Sequence, residues 1–111
     1  MKFTNLITGQ QVTAKDWQLA LKPGDYYLIK SPYVGDQNYT GPTIYGEIIT
    51  NTPEEGEPPY EEGFFLVRGY SQWCPDGELG MFSIVDATRQ ITKEEFELAR
   101  QQGWPKEIDH E

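Results

Sequence analysis

Cysteine is all but missing from this chain. Cys74 stands alone, so no disulfide can close within one molecule and no cysteine-based zinc site can be built from it. Histidine is equally scarce, with His110 as its single copy, in a C-terminal stretch (105–111) that reads as a frayed tail. A Ser-His-Asp triad, or a thiol activated by imidazole, would have to recruit that one residue. No window approaches the roughly 18 consecutive apolar residues of a membrane span. No apolar stretch of signal-peptide length follows Met1-Lys2-Phe3-Thr4-Asn5. Glycine-rich phosphate loops are absent as well, since Gly35, Gly41 and Gly46 fit neither nucleotide pattern. Positive charge is the last shortage: 9 Lys and Arg stand against 18 Asp and Glu, a net charge of −9. That balance argues against nucleic acid, anionic membranes and phosphorylated substrates as ligands, and favours positively charged partners. The lone cysteine and the lack of a membrane-length or signal-length apolar stretch point to the cytoplasm, and the expectation is a non-enzymatic protein, with bacterial or phage origin assumed.

What the chain does have is aromatic surface. Only 37% of its residues are hydrophobic, but 14% are aromatic, and seven are tyrosines. Large rings bury much area each, so a few can build the core of a small domain. A length of 111 residues suits one domain spanning 1–111.

Two segments carry helix-start signals. Thr92 with Glu95 makes a capping box, Ile91 and Phe96 are placed as a hydrophobic staple, and Gly103-Trp104-Pro105 ends the run. A helix over residues 93–102 follows. The earlier segment repeats the pattern, with Thr13 as cap, Asp16 at the third helical position and Val12 with Trp17 as staple. Lys22-Pro23-Gly24 closes it after about two turns. Residues 3–20 can be laid on 82–99 without a gap, so each segment reads as a strand, a polar turn and a capped helix. Shared capping preferences account for half of these matches, and an internal duplication is the less favoured explanation.

Strand-formers fill the interval. Residues 25–30 follow the Pro23-Gly24 turn. Residues 43–50 place Ile44 and Ile48 on one face and Tyr45, Glu47 and Ile49 on the other. Residues 63–70 are apolar on both faces at their start, which marks a strand inside the sheet. Residues 79–85 follow the Pro75-Asp76-Gly77 turn and should pair with 63–70 as a hairpin. The expected fold is α+β: a small antiparallel sheet of about five strands with two short capped helices, the clearer one C-terminal. An SH3-like barrel with an added helix is the alternative.

Two loops bear the candidate sites. Residues 53–62 hold five Glu and three Pro, a composition that cannot bury itself, and form an exposed acidic loop. No Lys or Arg occurs between Ser31 and Val67, whereas seven acidic residues do. Exposed rings beside acidic loops suit Arg- or Pro-rich partners. The expected partner surface is therefore Tyr33, Tyr39, Tyr45, Glu54, Glu55, Glu57, Tyr60, Glu61 and Glu62, docking on a basic protein, with a homodimer as a further option. Asp36, Asn38, Thr40, Gly41 and Glu47 match the spacing of an EF-hand calcium loop. Pro42 and the strand-like flanks oppose that reading, so a small-ligand or calcium-binding module around Asp36–Glu47 is an alternative and no cofactor is the main expectation. An enzyme remains a third reading, through Glu47, Cys74, Asp76 and Glu78 with Trp17 or Trp73 as sugar platforms. It requires these groups to converge in one cleft.

Overall fold

A computed structural model describes residues 1–29, 42–58 and 60–106. It is an α+β fold, with seven strands in two sheets and two helices among the described residues. Strands β1 (Lys2–Thr4) and β2 (Gln11–Thr13) form a small antiparallel hairpin, followed by helix α1 (Asp16–Leu19). Strands β3 (Tyr26–Ile29), β4 (Ile44–Thr50), β5 (Phe64–Tyr70) and β6 (Glu78–Ser83) come next. A single 3-10 turn (Ile84–Asp86), strand β7 (Ala87–Ile91) and helix α2 (Lys93–Gln101) complete the chain's described part. The five long strands make one antiparallel sheet in the order β6-β5-β4-β3-β7. This order is linear, with β6 and β7 as its edges, so no barrel closure of the SH3 kind is seen among the described residues.

Alternation along the strands gives each face of the sheet its own core. Tyr27, Ile29, Ile48, Phe65 and Val67 face the β1–β2 hairpin, α1 and the 3-10 turn, and Phe3, Leu21, Ile84 and Val85 complete that layer. Leu28, Tyr45, Tyr70 and Ile91 face the other way, onto Phe96 and Ala99 of α2 and onto Trp104. The sheet is therefore a middle layer, apolar on both sides, and the separation of Ile44 and Ile48 from Tyr45 is as the alternation in β4 predicts.

The C-terminal helix is built as its sequence dictates. Thr92 Oγ1 accepts the Glu95 N–H at 3.1 Å, and the Thr92 N–H donates to Glu95 Oε1 at 3.4 Å. At the other end the Trp104 N–H reaches back to Ala99 O at 2.8 Å and the Gly103 N–H to Arg100 O at 3.2 Å. This double bond pattern is a Schellman cap, with Gly103 at φ 78° in the left-handed position it requires. Trp104 also adopts a positive φ, 60°, and is held there by burial.

The first helix differs from expectation. Thr13 does not cap it, because Thr13 is committed to β2 opposite Lys2. The cap position falls at Lys15, whose N–H is taken by Gln18 Oε1 at 2.8 Å, and α1 lasts one turn instead of two. Gln18 is buried and donates from Nε2 to Ala87 O at 2.9 Å, so a tertiary contact fixes this short helix. The two similar segments consequently fold differently. β1 and β2 pair with each other, whereas their counterparts at the end of β6 and in β7 lie at opposite edges of the large sheet.

Candidate functional site

The acidic loop connects β4 to β5. Thr50 and Thr52 start it with a side-chain hydrogen bond of 3.0 Å, and a turn closed by the Glu57 N–H on Glu54 O at 3.1 Å forms its tip. Glu54, Glu55, Glu57, Glu61 and Glu62 are all exposed, and Tyr60 is half-buried. The ion pairs among the described residues join Lys22 to Asp25, Arg89 to Glu95 and Arg100 to Glu97, and none of them involves a loop glutamate. Glu61 and Glu62 flank a shallow hollow with Lys2, Phe3, Gln11 and Phe64, which sets the loop beside the β1–β2 hairpin.

Tyr45 does not belong to this surface. Its ring is wholly buried, 5.3 Å from the Trp104 ring, and its hydroxyl donates to the Pro105 carbonyl. Burial pushes its pKa up to about 12. The position alternates to the face that α2 covers, and this removes it from any contact with a partner. Tyr33 and Tyr39 lie outside the described residues, as do Asp36, Asn38, Thr40 and His110.

Of the expected calcium ligands only Glu47 can be placed. It sits in β4 opposite Arg68 and accepts a hydrogen bond from the Tyr26 hydroxyl at 3.4 Å. That segment is a strand, not the helix that follows an EF-hand loop. No three His, Cys, Asp or Glu groups converge on a common point among the described residues.

A second concavity lies at the far end of β5 and β6, and the sequence reasoning missed it. Its volume is about 300 Å³, and its floor combines Ile44, Gly69, Gly80 and Phe82 with Cys74 and Glu78 at the rim. Two glycines on adjacent strands leave a gap in the row of side chains. A methyl group at Gly69 would come within 2.9 Å of Ile44, and one at Gly80 within 3.3 Å of the Phe82 ring. This pair of glycines was the available signal. The loop before β6 is pinned by buried Ser71, whose Oγ accepts the N–H groups of Trp73 and Cys74 at 3.2 Å each. Gly77 completes that turn at φ 85°, where a β-carbon would lie 2.6 Å from the Tyr70 ring.

The enzyme candidates converge only in part. Cys74 Sγ lies 3.6 Å from Glu78 Oε2, as donor to it. Desolvation and the neighbouring Glu78 carboxylate raise the thiol pKa above its ordinary value, the opposite of what activates a nucleophile. Asp76 is exposed in the turn, and Glu47 faces the other side of the sheet with Tyr26. Trp17 leans on the first core, and Trp73 is exposed.

No family model, curated protein or solved structure matches the chain. No helix among the described residues is long and apolar enough to cross a membrane.

Proposed function

We propose that the protein is an interaction module that docks on a basic partner surface through its acidic β4–β5 loop. The observation that carries this reading is the exposure of Glu54, Glu55, Glu57, Glu61 and Glu62 on one connection, with no ion pair to any of them among the described residues. Five like charges held in one loop repel each other, and a cationic surface relieves that repulsion. The two prolines described there, Pro53 and Pro58, limit the conformations the loop must give up on binding. The net charge of −9 adds long-range attraction to the same class of partner. A lone free thiol fits a reducing compartment, and we place the interaction in the cytoplasm.

The test compares tagged wild type with a variant in which all five glutamates are glutamine, each used to capture partners from lysate at low and moderate salt. A stoichiometric basic protein held by wild type, lost with salt and lost in the variant, supports the reading. Equal retention by the two proteins sinks it.

A further inference from the structure

The large sheet has two edges, and they are unlike. β7 carries exposed Thr88, Arg89 and Gln90 and a register irregularity opposite Leu28 and Ile29. Charge and irregularity are devices that keep an edge from pairing. β6 lacks them. It has no proline and no lysine, pairs with β5 without a register shift, and leaves Leu79 50% and Met81 38% exposed.

The direction of its backbone groups follows from the ladder. The Ile84 N–H donates to Gly63 O at 2.9 Å, and hydrogen-bonded pairs alternate along antiparallel strands. Gly80 and Phe82 therefore bond inward to β5, and the N–H and C=O groups of Leu79 and Met81 point outward. The outward N–H of Ser83 is already taken by Asp86 Oδ2 at 2.8 Å. Among the described residues no segment pairs with this edge.

The faces beside the edge differ in chemistry. Glu78, Gly80 and Phe82 border the 300 Å³ hollow, in which Glu78 is the one charged group among the described residues. Leu79 and Met81 present a mainly apolar surface on the other side, with Arg68 of β5 beside Leu79. A strand laid against β6 would set residues opposite Leu79 and Met81 on the apolar side. Its residue opposite Gly80 would stand over the hollow, beside the Glu78 carboxylate. Further along, β6 ends at Ser83, opposite Phe64, which Gly63 separates from Glu61 and Glu62. A second copy of the chain would bring another net charge of −9 to the same edge, which disfavours it as the occupant.

We propose that the outer edge of β6 takes up an extended segment of the basic partner as an added strand, with a Lys or Arg over the hollow flanked by apolar residues. The proposal rests on the reading that the partner is basic, and moves the specific contact from the loop to the edge. The Leu79 and Met81 backbone groups supply the ladder, the hollow admits the aliphatic stem, and Glu78 pairs with the cationic end.

The experiment measures binding of a fluorescent peptide of alternating valine and arginine to the full chain, against one of alternating valine and glutamate. Met81→Pro deletes an outward N–H that no described strand uses, and Glu78→Lys reverses the charge without touching the ladder. The valine–arginine peptide should bind, each variant should weaken it by about tenfold, and the Leu79 and Met81 amides should gain exchange protection. Folded Met81→Pro binding as wild type does would overturn the proposal. Should that variant not fold, absence of amide protection in wild type at saturating peptide overturns it instead. A wild-type dimer that Glu78→Lys or Met81→Pro converts to monomer assigns the edge to a second copy and also overturns it. The loop-glutamine variant separates the two readings: peptide binding kept there but lost in Met81→Pro supports the edge and counts against the loop.

Discussion

The indole N–H of Trp104 donates to the carbonyl of Pro75 at 3.1 Å, joining the end of α2 to the loop that carries Cys74. The same ring stacks on Tyr70 with centroids 4.8 Å apart and packs against Phe96 at 5.2 Å. Arg100 lies over this group, 5.5 Å from the Trp104 ring. Trp104→Phe should cost about 1 kcal/mol, since it keeps a ring but orphans the carbonyl. Trp104→Ala should cost about 3–5 kcal/mol by leaving a cavity between the sheet and α2. Urea unfolding of both variants checks the order, and a Trp104→Phe variant as stable as wild type would show that the hydrogen bond contributes nothing.

The cap beside it gives a cleaner measurement. Gly103 has φ 78° and open space where a β-carbon would stand. Gly103→Ala therefore changes backbone strain alone, and about 1 kcal/mol of stability should be lost. A loss well above that would mean the Schellman cap had opened.

This end of the molecule was readable because its signals are local. Thr92, Glu95, Gly103 and Pro105 act within a single helix, and that helix forms where they place it. The Thr13 signal was overridden by pairing: residues 11–13 are close enough to Lys2–Thr4 to close a hairpin, and a paired threonine cannot also cap. β7 escaped notice because Thr88, Arg89 and Gln90 are polar and exposed, leaving too little alternation to mark an edge strand. The exposure of the loop glutamates was legible from composition. The burial of Tyr45 and the hollow at Gly69 and Gly80 were not, because they depend on which residues face each other across strands.

Tyr27 offers a test of the first core. It is wholly buried, and its hydroxyl has no hydrogen-bond partner among the described residues. Burial first, and the nearby Asp86 charge second, raise its pKa far above the ordinary value. Tyr27→Phe removes a polar atom without changing the ring, so stability should rise by about 1 kcal/mol. A lower melting temperature would show that the hydroxyl does find a partner.

Asp86 gives the fold a dependence on pH. Its carboxylate is buried and accepts the N–H groups of Ser83 at 2.8 Å and Leu6 at 3.0 Å, tying the 3-10 turn to the β1–β2 loop. Burial outweighs these bonds and raises its pKa above the ordinary 3.8. Between that value and its own higher one, the folded chain holds more proton than the unfolded chain. The contribution of this group therefore falls as pH rises through that window and is level above it. Asp86→Asn, which cannot titrate, should be less stable than wild type, and its deficit should widen as pH is lowered through the window. A deficit constant from neutral to acid would contradict the raised pKa.

Cys74 and Glu78 form the last pair whose behaviour can be measured directly. The carboxylate 3.6 Å from Sγ, together with desolvation, favours the protonated thiol. Alkylation by iodoacetamide proceeds through the thiolate, so Cys74 should react more slowly at mildly alkaline pH than an unstructured cysteine peptide. Glu78→Gln keeps the shape and removes the negative charge, and it should speed the reaction and move its pH midpoint down. The same substitution probes the hollow. If a cationic side chain from a partner sits beside Glu78, adding the valine–arginine peptide should also change the alkylation rate of wild type, and that response should vanish in Glu78→Gln. Mass spectrometry of the alkylated chain reads both effects. An unchanged midpoint in Glu78→Gln would mean that the two groups do not interact in solution.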